Sequence, residues 1–241
     1  MLQRPSQLSR AKAGGLKETR EPQYQVVLDI EEKHGLTPLG LMINQAWRDD
    51  PKRLAFTFAR YKFVAKMLAG KKNVLEVGCA DAFCTRIVQQ AVGQVTVTDF
   101  DPLFIADVRA RMDPKWPLAG AFVHDMLSGP VGGKYDAVYA LDVLEHIEPA
   151  REHDFLRNMV AALGEHGVGI IGTPSLESQT HASPQSKSGH VNCKTGEDLK
   201  RTLERHFHNV FMFSMNDETI HTGFFPMAQY LFALGCEQKV T

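Results

Sequence analysis

After Gly70 the chain alternates short apolar runs with helical stretches, and this alternation constrains its fold more than any other feature. Strands are predicted at Asn73–Val77, Gln94–Thr98, Ala121–Val123, Ala137–Leu141 and Val168–Gly172. Helices are predicted over Ala82–Ala91, Leu103–Met112 and Glu152–Leu163. Parallel strands cannot be joined by a tight turn; each crossover needs a dozen or more residues, usually a helix. The pattern therefore predicts an α/β fold, a mostly parallel sheet with helices on both faces.

The flanking segments read differently. Tyr24 to Leu68 is helical in pattern: Thr37-Pro38 suits a helix start, and Asp50-Pro51 closes one helix and opens the next. Leu54, Phe58, Tyr61, Ala65 and Leu68 recur at steps of three and four, which predicts one buried face. The expected organisation is an arm over residues 1–23, a helical segment over 24–70 packing on the core, and a main domain over 71–236. The arm is polar, with Gly14-Gly15 and five basic side chains. It has no apolar face to bury and is expected to be disordered. Residues 173–194 form a polar, serine-rich stretch with Pro174 and Pro184, too long for a simple connection and so a candidate substrate lid. A helix over Glu197–Phe207 then precedes apolar runs at Val210–Met215 and Met227–Leu234.

A net charge of −1 gives the molecule no overall attraction to nucleic acid or to an anionic membrane. The four cysteines, Cys79, Cys84, Cys193 and Cys236, form no CxxC pair, and free thiols in a reducing compartment are expected. No stretch has the length of a transmembrane span or the form of a signal peptide. A cytoplasmic protein with no membrane partner is the expectation.

The turn after the first strand, "VLEVGCADAFC", has the shape of a nucleotide-binding loop but keeps only Gly78, with Ala80 and Ala82 where glycines would be usual. In an open α/β sheet, ligands sit beyond the carboxyl ends of the strands. Gly78 supplies conformational freedom there, and the two alanines are small enough to leave the crevice open. Glu76 stands inside the first strand, and Asp99 follows the second, 23 residues later. A carboxylate placed like Asp99 can accept from both hydroxyls of a ribose. A second carboxylate beside the loop would repel a pyrophosphate but suits a cationic, phosphate-free nucleoside.

"VLEVGCADAF", "VTVTDFDP", "FVHDM" and "YDAVYALDVLEHI", in that order, resemble the successive motifs of the class I S-adenosylmethionine-dependent methyltransferases. The resemblance covers Val74 to Gly172, and more loosely the chain to Leu234. It implies a Rossmann-like seven-stranded sheet, mostly parallel, closed by a terminal antiparallel hairpin. It implies that the loop from Glu76 through Gly78 and Ala80 to Ala82 wraps the methionine part of S-adenosyl-L-methionine. By the same resemblance Asp99 binds the ribose and Phe100 lies beside the adenine. Asp125 accepts from the adenine amino group, Met126 offers an adjacent backbone contact, and Ala140 to Asp142 border the methyl-donor end. Arg60 reads as an exposed helix arginine, with a pairing to the cofactor carboxylate as the alternative. The departures at Ala80 and Ala82 have a cost: a positive φ at either would weaken binding by on the order of 1 kcal/mol.

The acceptor end is less specified. "DVLEHI" places Asp142, Glu145 and His146 just after the fourth strand, and "SKSGHVNCK" places His190 in the long loop after the fifth. Histidine titrates near neutral pH, so His146 and His190, with Asp142, are the candidate catalytic residues for removing an acceptor proton. Asp217, Glu218 and His221 could hold a divalent ion but also read as a polar loop bonded to itself. No metal site is assigned, and no helix with paired glutamates and histidines suited to metal-assisted RNA end methylation is evident. The expected activity is methyl transfer to a small polar metabolite or a glycan intermediate, at oxygen. The alternatives are an RNA methyltransferase, opposed by the neutral charge and the lack of an Asn/Asp-Pro-Pro-Tyr/Phe motif, and a non-catalytic cofactor-binding partner. A nicotinamide oxidoreductase is disfavoured, because Glu76 replaces the expected apolar residue.

Overall fold

A computed structural model describes residues 18–239 of the chain. Most of the expected arm, residues 1–23, therefore lies outside the described residues. The chain divides after Pro38 into two units. The first contains α1 (Gln25–His34), which ends where Gly35 takes a positive φ of 69°. The second begins at Leu39 with α2 (Leu41–Asp49) and α3 (Lys52–Met67). Asp50 and Pro51 separate these two helices, because proline fixes φ and offers no N–H to continue α2.

Next come β1 (Asn73–Val77), α4 (Thr85–Gln89), β2 (Gln94–Asp99), α5 (Pro102–Ala110), β3 (Gly120–Val123) and β4 (Tyr135–Leu141). They are followed by α6 (Glu152–Ala161), β5 (Leu163–Pro174), α7 (Pro184–Gly189) and α8 (Gly196–Glu204). β6 (Phe207–Asn216), β7 (Thr219–His221) and β8 (Tyr230–Gln238) complete the order. The strands lie as β3-β2-β1-β4-β5-β8-β6-β7. The first five are parallel; β8 runs antiparallel between β5 and β6. The sheet has eight strands rather than the expected seven. The additional one is β7, an edge strand of three residues that pairs back on β6 after Asp217 turns the chain with a φ of 49°.

The period-2 alternation of β1 and β4 sends side chains to opposite faces of the sheet. Leu75, Val77, Val138 and Ala140 join Phe155, Leu156 and Met159 of α6 and Leu199 and Leu203 of α8 in one buried cluster. Val74, Ala137 and Tyr139 face the other, with residues of α2, α3, α4 and α5. Burying each such large apolar side chain contributes roughly 1.5–3 kcal/mol, which explains why both strands are apolar almost throughout. On α3, Leu54, Tyr61 and Ala65 are buried as expected, as is Leu68 just after its end, but Phe58 is not. Phe58 instead lines an open groove of about 880 Å³ between α3 and α4. Phe63 takes its place in the core, its ring 5.0 Å from that of Phe213 and 4.5 Å from that of Phe232.

Several boundaries move: Leu163 begins β5 instead of ending the helix before it, and β8 begins at Tyr230 after a 3-10 turn at Phe225–Met227. Two further changes have local reasons. α4 begins at Thr85 rather than Ala82, because Ala82 has a φ of 49° that no right-handed helix accepts. Residues 173–194 are not an irregular loop: they hold a 3-10 turn at Glu177–His181 and α7, capped by the Ser183 side chain accepting from the Ser186 N–H. No helix among the described residues is long and apolar enough to cross a membrane.

Candidate active site

The crevice at the carboxyl end of β1 is built from backbone. The N–H groups of Gly78 and Cys79 both donate to the Thr98 carbonyl, at 2.8 and 3.0 Å. Gly78 has a φ of 71°, and a Cβ on it would lie 2.4 Å from Cγ2 of Val143. Only glycine fits there, and its fit brings the turn after β4 against the loop. Ala80 and Ala82 then adopt φ values of 45° and 49°. An L side chain in this region costs about 1–2 kcal/mol. That strain resides in the fold of the loop itself, so it weakens folding rather than binding. Glycine would return part of the gain as chain entropy. The doubly substituted Ala80→Gly, Ala82→Gly protein is therefore expected to be about 1 kcal/mol more stable in urea unfolding.

Asp99 organises the loop. One carboxylate oxygen accepts from the Ala80 N–H at 2.8 Å, the other from the Asp101 N–H at 2.9 Å, and its carbonyl accepts from the His124 N–H. A carboxylate has about four acceptor positions, so two remain for hydroxyl donors. Asp125 follows β3, with one carboxylate oxygen accepting from the Leu127 N–H at 2.8 Å. Phe100 is 73% exposed beside the crevice. Met126 is buried, its carbonyl taken by the Asn158 amide, and the Ala140 side chain lies in the core. Ala140 therefore offers only its backbone to a ligand.

Glu76 is placed differently from a ligand-facing residue. It is 1% exposed and accepts from three hydroxyls: Tyr61 at 2.7 Å, Thr85 at 2.6 Å and Tyr139 at 2.7 Å. Burial pushes its pKa up to about 7 against the pull of those donors. Its neighbour Asp81, unremarked in the sequence, ties the loop to α2 by accepting from the Ile43 N–H at 2.9 Å. Gly40 packs directly on that carboxylate, where any side chain would clash.

The turn at the end of β4 carries Asp142, Glu145 and His146. Asp142 has a φ of 56°, and both its oxygens accept from Nη1 of Arg60, at 3.0 and 2.8 Å. The guanidinium lies 3.9 Å from the Tyr230 ring centroid. Arg60 is therefore not an exposed helix arginine but the counter-ion of Asp142. Glu145 is buried, with one oxygen accepting from Thr173 at 3.1 Å and the other, Oε1, without a partner among the described residues. Burial and the nearby Asp142 hold its carboxyl well above the usual range. His146 and His190 meet edge to face, with ring centroids 5.2 Å apart. Burial, then the His146 charge, lowers the His190 pKa. The Asp217, Glu218 and His221 group lies apart from these, and both His221 ring nitrogens are already engaged, by Asn216 and the Gly223 N–H. The 880 Å³ groove between α3 and α4 also lies apart: neither Gly78, Asp99 nor Asp142 lines it.

Residues 74–167 match the family model described as "Methyltransferase domain". That span is a methyltransferase domain of the class I S-adenosylmethionine-dependent type. The chain is 27% identical over 147 residues to nodulation protein S of Bradyrhizobium diazoefficiens, a match covering 59% of this chain and 69% of the relative. It is 28% identical over 107 residues to the mitochondrial ubiquinone biosynthesis O-methyltransferase of Schizosaccharomyces pombe, covering 43% and 38%. The N-methyltransferase NodS of Bradyrhizobium japonicum, solved with S-adenosylhomocysteine, has the same fold. Its TM-score is 0.56 at 18% identity, over 79% of this chain and 90% of that one.

The methyltransferase's cofactor is S-adenosylmethionine, and the crevice fits it. The Gly78–Ala82 backbone is held open by left-handed residues with side chains no larger than Asp81, which itself turns away to α2. Asp99 keeps acceptor capacity beside it, and no cationic side chain is needed for a phosphate the cofactor lacks.

Proposed function

We propose that this methyltransferase acts on an oxygen of a small polar acceptor, a metabolite or glycan intermediate, in the cytoplasm. When bound, the cofactor supplies an activated methyl group on a sulfonium. Asp99 would hold its ribose, Phe100 and Asp125 its adenine, and the Gly78–Ala82 backbone its methionine part. The acceptor would lie against Asp142, Glu145, His146 and His190, beneath the 173–194 segment. That segment is anchored over this mouth, because the Val191 and Asn192 N–H groups both donate to the Glu145 carbonyl, at 2.8 and 3.0 Å. The observation that carries the reading is the convergence of two imidazoles and a buried carboxylate at this point. An amine with a free lone pair needs no such group, whereas a hydroxyl must lose its proton as the new bond forms. His190, kept neutral by its surroundings, has a lone pair for that task.

The test has two parts. Calorimetric titration with S-adenosylhomocysteine is expected to give one saturable site, weakened about tenfold or more by Asp99→Ala as the ribose acceptor and the Ala80 anchor are lost together. A screen of hydroxyl and amine acceptors should then find transfer to hydroxyls, reduced by His190→Ala with the affinity for S-adenosylhomocysteine unchanged. Transfer to amines alone, indifferent to His190, would sink the oxygen assignment.

A further inference from the structure

We propose that Glu145, His146 and His190 bind a divalent transition-metal cation of the zinc, manganese or cobalt class, to which the acceptor oxygen coordinates. The inference rests on the reading of this mouth as the acceptor site and names what activates the acceptor there. One potential ligand atom from each of the three residues lies within 4.8 Å of the others. A bound ion with bonds of about 2.0–2.2 Å would draw such atoms to roughly 3–3.5 Å, which small side-chain rotations supply.

The surroundings prepare these groups as ligands rather than as partners for one another. Nδ1 of His146 lies 2.9 Å from the Gly189 carbonyl, and Nδ1 of His190 lies 2.8 Å from Oε1 of Gln179. The Gln179 amide is oriented by its own Nε2 donating to the Ser175 carbonyl at 3.1 Å. Both acceptors are carbonyl oxygens, so each Nδ1 carries the proton and each Nε2 keeps a lone pair. Metal-binding histidines are oriented in this way, with the ring nitrogen remote from the ion donating to a carbonyl or carboxylate. Glu145 Oε1 is buried with no hydrogen-bond partner among the described residues, although two imidazoles stand beside it. A buried, unsatisfied carboxylate oxygen is costly to leave unpaired. No hydrogen bond joins it to either histidine among the described residues, so the three groups converge without satisfying each other.

The scaffold supports the same conclusion. Glu145 and His146 sit on the 3-10 turn Leu144–His146, while His190 comes from the segment after β5. The bonds from the Val191 and Asn192 N–H groups to the Glu145 carbonyl lock these two segments together. Two imidazoles and one carboxylate leave coordination positions open, and nitrogen donors favour transition metals over magnesium or calcium. A hydroxyl oxygen bound at an open position becomes more acidic and passes its proton to solvent. With the ion bound, both histidines serve as ligands, and the proton that His190 would otherwise accept leaves the coordinated hydroxyl for solvent.

Untagged protein stripped with chelator would be titrated with Co2+ and followed by its visible d–d absorption. One equivalent is expected to bind, with affinity falling at least ~100-fold in His190→Ala and in Glu145→Gln. Binding of S-adenosylhomocysteine, measured on the same samples, should persist in both variants and so report that they are folded. Saturable binding unchanged by either substitution, or no binding to the wild type at micromolar Co2+, overturns the proposal. Chelator-resistant methylation of hydroxyl acceptors also overturns it while leaving the oxygen-transfer reading intact. One-site Co2+ binding lost in the variants, with methylation confined to amines, keeps the metal site and removes that reading instead.

Discussion

Glu76→Ala is expected to lower unfolding free energy by at least about 3 kcal/mol, measured by urea denaturation. The substitution leaves the hydroxyls of Tyr61, Thr85 and Tyr139 without the acceptor they share. Each buried hydroxyl that loses its only partner costs roughly 1–3 kcal/mol, and these three stand on α3, α4 and β4. The carboxylate therefore joins three elements around the strand that carries it. Glu76→Gln should cost far less. Its remaining oxygen can accept from Thr85 and Tyr139, and the Tyr61 hydroxyl can rotate to accept from the new amide. A loss as large for glutamine as for alanine would mean that the negative charge, not the hydrogen-bond network, stabilises the fold.

The same residue predicts a pH dependence. Its folded pKa of about 7 lies above the ordinary value of 4.5, so between those limits the folded state binds more protons than the unfolded one. Stability is then lost as pH rises from about 4.5 towards 7, the reverse of the usual paired carboxylate. Glu145, also shifted upward, acts in the same direction. A pH series of unfolding curves should therefore show a shallower decline for Glu76→Gln than for the wild type. An identical slope in both proteins would show that Glu76 is ionised throughout.

Much of the fold was legible because its signals are local. The runs of β1 and β4 are largely apolar, as strands covered on both faces must be, β2 alternates valine with threonine, and proline at position 51 marks a helix boundary unaided. β7 was not legible, since "TIH" between polar residues has no strand signal until β6 provides a partner. Phe58 follows helical periodicity as well as Tyr61 does. Only the placement of β6 and β8 decides that Phe63 is the ring that is buried.

The candidate site divides along the same line. Gly78 and Asp99 belong to a turn and a strand end whose spacing is fixed by one crossover, so the sequence locates them. Glu76 lies in that motif too, but its three donors come from residues 9, 15 and 63 positions away, and its burial follows from them. The grouping of Glu145 and His146 with His190 depends on how the segment after β5 returns to the β4 turn. Nothing in "SKSGHVNCK" states that return. The Arg60–Asp142 pair spans 82 residues, and a helix arginine gives no sign of what lies across from it.

Arg60→Met is expected to destabilise the protein by about 2–3 kcal/mol. Fully buried ion pairs lose about 3–5 kcal/mol when one member is removed, but side-chain exposures of 21% for Arg60 and 39% for Asp142 allow water to offset part of that. The remainder arises because Arg60 serves two carboxylates. It binds Asp142 directly and lowers the cost of ionising Glu145 behind it. Methionine keeps the apolar stem packed but leaves Asp142 beside Glu145 with no counter-ion. Asp142→Asn in the same protein removes one of the two like charges and should restore most of the loss. The double-mutant cycle is then expected to give a coupling of about 1–2 kcal/mol. Additive effects would mean that the pair is held by the left-handed turn at Asp142 and contributes geometry without energy. A coupling of the expected size identifies Arg60 as the charge that lets a buried glutamate and a strained aspartate stand together at the mouth of the site.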